Sequence, residues 1–149
     1  MRITGIVGAL VTALLLSVGV AGPAEAASAV QFRTFYYDSP GSDTRTNSSL
    51  NGEWFALKNV SATRVNLSGW KIRDLTGYTY TFASTFYLRP GATVKVHTGR
   101  GTNSTSNRYW GRGSYVWNNT GDKATMRNKA GTLKDTCSWS STGAGYKAC

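Results

Sequence analysis

The one histidine of the chain, His97, stands beside a short glycine-arginine-glycine loop, and these are residue types that occur in catalytic and anion-binding sites. Histidine titrates near neutral pH, so His97 could act as a general base for a serine nucleophile. The amides around Gly99 and Gly101, with the forked guanidinium of Arg100, could instead form a nest for phosphate or sulfate. No Gly-x-Ser-x-Gly elbow is present, and the loop lacks the lysine of a P-loop. The pattern favours a turn at the rim of a domain, with anion binding as the alternative and catalysis disfavoured.

Carboxylate pairs are the other source of catalytic chemistry, because glycoside hydrolysis needs two of them around the scissile bond. The candidates are Asp38, Asp43, Glu53, Asp74, Asp122 and Asp135. Most of the aspartates occupy turn sequences, where aspartate commonly accepts hydrogen bonds from the backbone. Glu53 opens an apolar strand, and we expect it to be partly buried and bonded to a neighbouring backbone group or to a cation such as Arg73. The chain is therefore predicted not to be an enzyme.

Oxygen-bearing side chains also cluster in residues 118–122, which suggests calcium binding. The segment lacks the downstream glutamate that completes an EF-hand loop. A hairpin turn accounts for it better, with Asn119 and Gly121 in unusual backbone conformations. Asp38 and Asp43 offer a second, weaker calcium alternative. We predict no metal site and no cofactor.

Cations and aromatic rings interleave most closely in residues 107–112, after the glycine loop. Arg108 and Arg112 could hold a charged polymer backbone while Tyr109 or Trp110 stacks on a base or a sugar. The alternative is packing, in which Trp110 caps an open end of the domain and the arginines are solvated. The predicted ligand-binding residues are Lys95, His97, Arg100, Arg108, Tyr109, Trp110 and Arg112.

The formal net charge of the chain is +10, from 17 Lys and Arg residues against seven Asp and Glu. Such a surface attracts nucleic acid, anionic envelope polymers and membrane head groups, although charge can also serve solubility alone. We predict a non-catalytic binding module for nucleic acid or a cell-envelope glycan. One alternative is an envelope or matrix protein that binds a protein partner through a strand edge or an aromatic patch. The other, less favoured, is a hydrolase that uses His97 or paired carboxylates.

The first 26 residues have the layout of a secretory signal peptide. Met1 and Arg2 precede a mostly apolar run, and Ala24 and Ala26 frame a cleavage site before Ala27. An uncleaved membrane anchor is the alternative, but no basic stop-transfer cluster follows the apolar run. We therefore expect residues 27–149 to form one exported, monomeric domain without a transmembrane segment, either extracellular or held at the cell envelope.

The two cysteines, Cys137 and Cys149, lie near the C-terminal end, and thiols of exported proteins tend to be oxidised. One disulfide between them is predicted, and closing so short a loop stabilises a fold by on the order of 3 kcal/mol. A redox or metal-binding pair is disfavoured because the spacing is not Cys-x-x-Cys and only one histidine is available.

Short runs of alternating apolar and polar residues, separated by Gly, Thr, Ser and Asn, predict an all-β domain with no helix after the signal peptide. The expected strands are residues 30–33, 54–57, 67–74, 78–82, 93–97, 115–117, 124–126 and 133–137. In the third strand Ile72 points to one face, whereas Lys71 and Arg73 point to the other. In the fifth strand two valines face the core, whereas Lys95 and His97 face outward. About eight short strands at this spacing are typical of a β-sandwich.

An ordered series of motifs covers nearly the whole exported part. The motifs lie in residues 53–59, 67–74, 88–92 and 117–126, with a closing Asp135. In this order they resemble the lamin-tail domain in its secreted bacterial form, and the resemblance implies an immunoglobulin-like β-sandwich that binds or tethers rather than catalyses. The motif residues are interpreted as fold-forming: Trp70 fills the core, Pro90 and Gly91 turn the chain, and residues 119–122 close a hairpin. The residues with such a structural role are Glu53, Trp54, Gly69, Trp70, Asp74, Pro90, Gly91, Trp117, Asn118, Asn119, Gly121 and Asp122.

Overall fold

The computed structural model describes residues 27–140 and 143–149, so the predicted signal peptide lies outside the described residues. The described part contains eleven strands and one short helix. In chain order they are β1 (Val30–Tyr36), α1 (Asn47–Gly52), β2 (Trp54–Asn59), β3 (Val65–Asn66), β4 (Lys71–Arg73), β5 (Thr79–Thr81), β6 (Tyr87–Leu88), β7 (Thr93–His97), β8 (Asn107–Tyr109), β9 (Asp122–Arg127), β10 (Leu133–Trp139) and β11 (Tyr146–Ala148). The all-β prediction is confirmed, with more strands than the expected eight.

Two sheets form the sandwich. The larger has five strands in the order β11-β1-β2-β7-β8, and its pairs are antiparallel except for the parallel pair of β7 and β8. The smaller has four antiparallel strands in the order β10-β9-β4-β5. A separate two-stranded sheet joins β3 and β6. The immunoglobulin-like β-sandwich expected from the sequence is the observed architecture.

An aromatic cluster occupies the centre of the core, and Phe35 on β1 lies in its middle. The ring of Phe35 is 5.0 Å from that of Phe32 and 5.3 Å from that of Phe55, measured between centroids. Trp117 and Trp139 approach the same ring at 4.9 Å and 5.4 Å. Phe32 and Phe55 belong to the five-stranded sheet, whereas Trp139 belongs to the four-stranded one. Phe35 therefore packs where the two sheets meet.

The short helix α1 contradicts the expectation of no helix after the signal peptide. Thr46 caps its N-terminus by accepting a hydrogen bond from the Ser49 amide at 3.3 Å, as threonine commonly does at this position. Leu50 is its one buried residue. A single apolar residue among six gives no helical periodicity, so the sequence pattern could not indicate this helix.

The predicted strand at residues 115–117 is wrong. The backbone amides of Val116 and Trp117 donate to the side chain of Glu53, so they pair with a carboxylate instead of a neighbouring strand. Four strands that the sequence did not predict, β3, β6, β8 and β11, are only two or three residues long. Alternation cannot be recognised over so few residues.

Of the expected third strand, residues 67–74, only β4 forms, because residues 67–70 form a turn. Gly69 has a φ of +77°, which glycine adopts readily, and the Trp70 amide donates to the Leu67 carbonyl at 2.9 Å. The side chain of Trp70 is buried in the core, as expected. The turn at Pro90 and Gly91 also forms, since Gly91 has a φ of +71°.

The turn at residues 118–121 differs from the prediction in two respects. Gly121 has positive φ, whereas Asn119 does not. Because residues 115–117 are not a strand, the segment leads from a loop into β9 and does not close a hairpin. The Asn118 amide donates to the Asp122 carboxylate at 3.1 Å, and the Thr120 amide donates to Oδ1 of Asn118 at 3.0 Å.

The predicted disulfide between Cys137 and Cys149 is present, with 5.8 Å between the two Cα atoms. Cys137 lies on β10 of the four-stranded sheet, and Cys149 follows β11 of the five-stranded sheet. The bond therefore links the two sheets at the C-terminal end of the chain. The Cys149 amide also donates to the Arg33 carbonyl at 2.8 Å, which holds the terminus against β1.

Candidate functional site

The predicted ligand-binding residues lie on β7, on β8 and in the loops that follow these strands. On β7, Val94 and Val96 are buried, whereas Lys95 and His97 point away from the core and are half-buried. The outward orientation predicted for Lys95 and His97 is thus observed. Both strands lie at one side of the five-stranded sheet, because β8 is its edge strand.

His97 is held by hydrogen bonds at both ring nitrogens. Nδ1 lies 2.9 Å from the Asn51 carbonyl oxygen, and Nε2 lies 3.0 Å from Oδ1 of Asn107. The ring also stacks on Tyr109, with 5.1 Å between the centroids. A general base needs a free nitrogen facing the nucleophile, and both nitrogens here have structural partners. His97 therefore connects α1, β7 and β8 in this structure.

An anion nest around Gly99 and Gly101 was the alternative to a simple turn, and the amide at its centre, that of Arg100, is already engaged within the protein. The Arg100 amide donates to Oδ1 of Asn47 at 2.7 Å, and the Arg100 carbonyl accepts from the side-chain amides of Asn47 and Asn51. Gly101 lies against the Tyr109 ring, where an added Cβ would come within 2.4 Å of ring atoms. Gly101 is thus required for close packing against Tyr109. The Arg100 amide is not free to bind an anion, because it donates to a side chain of α1. The guanidinium of Arg100 remains exposed.

Trp110 and Arg108 cover the open side of the sandwich between the edge strands β5 and β8. Trp110 is half-buried against the core, with its ring 5.8 Å from that of Tyr80. The guanidinium carbon of Arg108 lies 4.2 Å from the centre of the Phe86 ring. Burial raises the pKa of Tyr80 to about 12, and the positive charge of Arg108 acts in the opposite direction. Trp110 packs against the core, as in the packing alternative. That alternative left Arg108 solvated, whereas in the structure Arg108 stacks on a ring.

Arg112 makes a similar contact with Tyr78, at 4.2 Å from the ring centre. Like Arg108, it is half-buried, and its Nε has no hydrogen-bond partner among the described residues. Stacking on an aromatic face fixes the plane of a guanidinium while leaving its charge available to an anion. The structure therefore shows two oriented cations in the predicted binding segment.

A row of aromatic rings crosses the outer face of the five-stranded sheet, and sequence reasoning did not identify it. Tyr146, Tyr36 and Trp54 are directly opposite one another on β11, β1 and β2. Their rings stack at 5.3 Å and 4.6 Å with nearly parallel planes, and the Lys95 ammonium lies 4.1 Å from the Trp54 ring centre. These rings come from distant parts of the sequence, so only the strand pairing reveals the row. We refer to Tyr146, Tyr36 and Trp54 as the aromatic row.

Glu53 is fully buried and accepts three hydrogen bonds. Oε1 accepts from the Thr98 hydroxyl at 2.6 Å and from the Val116 amide at 2.9 Å, and Oε2 accepts from the Trp117 amide at 3.1 Å. The sequence led us to expect a neighbouring backbone group or Arg73 as the partner. The donors are instead two backbone amides from a distant loop and the Thr98 hydroxyl, and Arg73 is not among them. Burial raises the pKa of Glu53 from its ordinary value of 4.5 to about 7, and the three hydrogen bonds only partly oppose this shift.

This pKa predicts how stability depends on pH. Between pH 4.5 and 7 the folded protein keeps the Glu53 proton that the unfolded chain releases. The free energy of unfolding should therefore fall by about 3 kcal/mol as pH rises through this range. Urea unfolding at several pH values measures the slope, and Glu53→Gln should flatten it. Equal slopes in the two proteins would contradict the assignment.

Two further carboxylates are buried, one directly after β4 and one at the first residue of β9, and both accept backbone hydrogen bonds. Asp74 accepts from the amides of Gly77 and Tyr78, both at 2.7 Å, and Asp122 accepts from the Leu75 amide at 3.2 Å.

Within residues 27–140 and 143–149, no group of three His, Cys, Asp or Glu side chains is placed to hold a metal ion. None of the helices there is long and apolar enough to cross a membrane.

Comparison with known families agrees with this architecture. The family model of the lamin tail domain matches residues 23–141. Members of that family are immunoglobulin-like modules and generally non-catalytic. No curated protein matches the sequence. The sandwich, the buried motif residues and the extent of the match lead to one conclusion: the chain belongs to the lamin tail domain family.

Proposed function

We propose that this chain is a secreted, non-catalytic binding module that holds an anionic polymer, either nucleic acid or a cell-envelope glycan. The observation that carries the proposal is the unequal burial of charge. Glu53, Asp74 and Asp122 are buried, whereas no lysine or arginine in the described part of the chain is buried. The exposed charge is therefore even more one-sided than the formal net charge of +10. Such a surface attracts polyanions at long range.

Two features of the predicted binding segment support contact as well as attraction. Arg108 and Arg112 are already oriented by the rings on which they stack, so binding an anion costs less side-chain entropy than it would for free arginines. Arg100 is exposed on the neighbouring loop. The predicted signal peptide supports secretion, which would bring the module to extracellular or envelope polymers.

The salt dependence of binding tests this function. The oxidised protein should bind duplex DNA or an anionic polysaccharide at 50 mM salt, with an affinity about 1,000-fold lower at 200 mM if about six charges are neutralised. Fluorescence anisotropy with labelled polymers measures both values. Lack of binding at the lower salt concentration would contradict the proposal.

A protein partner is the second candidate, and the aromatic row favours it. Tyr146 is 49% exposed and lies on the edge strand β11, where an extended segment of another chain could pair. Apolar contacts of this kind persist at high salt, unlike contacts with a polyanion. Association that is insensitive to salt and is lost in Tyr146→Ser would favour this candidate.

A further inference from the structure

The outer face of the four-stranded sheet carries four cations that the predicted binding segment does not include. Lys71 and Arg73 on β4 and Lys123 and Arg127 on β9 are all exposed. The residues between them, such as Ile72, are buried in the core, so the four side chains point to the same outer face. We refer to Lys71, Arg73, Lys123 and Arg127 as the cationic face.

The strand register arranges these cations in a line. Lys71 is directly opposite Arg127, and Arg73 is opposite Thr125. Lys123 lies two residues before Thr125 on β9, so it is one level beyond Arg73 in the direction that β4 runs. Two residues span about 6.7 Å in a strand, and paired strands are about 4.8 Å apart. Positive charge therefore recurs at three successive levels parallel to β4 and β9.

The cations have no carboxylate between them on this face. Asp74 and Asp122 are the carboxylates at the ends of the two strands, and both are buried and accept backbone hydrogen bonds. Arg127 donates to the Gly131 carbonyl at 2.9 Å, which leaves its charge uncompensated. Like charges directly opposite in a sheet repel, so an anion bound between Lys71 and Arg127 would relieve a cost in the free protein.

Hydroxyl groups surround the line of charge. A surface groove of about 600 Å³ is lined by Lys71, Arg73, Thr79, Thr81, Thr125 and Arg127, together with Asp74 and Leu75. The outward positions of β4, β5 and β9 thus carry cations and threonines, with no aromatic ring. Single-stranded nucleic acid is usually held by stacking bases on aromatic side chains, which this face does not offer. Phosphates bound by the cations and hydroxyls bound by the threonines fit it better.

We infer that the cationic face binds an extended, phosphate-bearing glycan or polyol polymer that lies parallel to β4 and β9. The inference rests on the proposed polyanion function, and it adds a second contact surface to the predicted binding segment and names the class of ligand. Successive phosphates contact the Lys71 and Arg127 level, then Arg73, then Lys123. The threonines at either side accept from and donate to the hydroxyl groups of the polymer.

The test compares two variants that lose the same charge. The first carries Lys71→Gln, Arg73→Gln, Lys123→Gln and Arg127→Gln. The second removes two lysines and two arginines elsewhere, through Arg33→Gln, Lys58→Gln, Arg89→Gln and Lys147→Gln. Binding of both and of the wild type to fluorescent poly(glycerol phosphate) is measured by anisotropy from 50 to 300 mM salt, with circular dichroism melting curves to verify folding.

The first variant should bind about 100-fold more weakly at 50 mM salt, and its slope of log affinity against log salt should be smaller by about three to four. The second should lose less than about tenfold. Equal losses in the two variants would overturn the inference while leaving the proposed function standing. No wild-type binding to any polyanion would overturn the function itself. Tighter wild-type binding to duplex DNA of equal charge, lost only in the first variant, would overturn the ligand class.

Discussion

Replacement of Glu53 by alanine is expected to lower the free energy of unfolding by about 3 to 5 kcal/mol. The change leaves the amides of Val116 and Trp117 and the hydroxyl of Thr98 without their acceptor, in a region closed to water. Each buried donor without a partner costs about 1 to 3 kcal/mol. Urea unfolding monitored by tryptophan fluorescence measures the loss.

Thr98→Val is the matched control for this prediction. It removes one donor to Glu53 and keeps both backbone hydrogen bonds, so the expected loss is only about 1 kcal/mol. If the free energy of unfolding of Glu53→Ala is within about 1 kcal/mol of the wild-type value, Glu53 does not hold the loop as described.

A structural role also requires that Glu53→Gln, studied well below its melting temperature, still binds polyanions as the wild type does. Loss of binding in that folded variant would assign Glu53 to the ligand site.

The features that the sequence predicted correctly depend on neighbouring residues. Alternation along β7 indicates which side chains face outward, including Lys95, because the period of a strand is local. The turn at Pro90 and Gly91 is similarly determined by the backbone preferences of two adjacent residues. The disulfide followed from there being only two cysteines in a chain predicted to be exported. Each of these inferences needs no knowledge of which strands pair.

The features that the sequence did not predict depend on contacts between distant segments. Glu53 accepts hydrogen bonds from residues 45 to 64 positions away, so its preference for backbone donors over Arg73 could not be read from its neighbours. The cationic face needs β4 to pair with β9, since Lys71 and Arg127 belong to separate parts of the chain. The charge of each residue was evident, but its position relative to the others was not.

The same limit applies to the predicted binding loop. The composition of residues 107–112 indicated cations beside aromatic rings, and in the structure the two arginines of this segment each stack on a ring. The rings that Arg108 and Arg112 contact, Phe86 and Tyr78, come from earlier segments rather than from the loop itself. Neither the binding nor the packing interpretation of the sequence predicted these contacts, because they join residues that lie far apart in the chain.

The second large effect is expected at the centre of the core, where Phe35→Ala should lower the free energy of unfolding by about 3 to 5 kcal/mol. Phe35 is fully buried and contacts rings from both sheets, so truncation leaves a cavity that neither sheet can close without moving. Denaturant unfolding with the disulfide intact measures the loss.

Tyr36→Ala provides the control, because Tyr36 is the next residue on β1 and lies in the aromatic row on the outer face. Its side chain is half-buried and its truncation opens to solvent rather than leaving a cavity, so the expected loss is about 1 to 2 kcal/mol. A larger loss for Tyr36 than for Phe35 would mean that the outer row, and not the aromatic cluster between the sheets, stabilises the sandwich. The pair of variants therefore distinguishes the ring that holds the two sheets together from the rings that remain available to a partner.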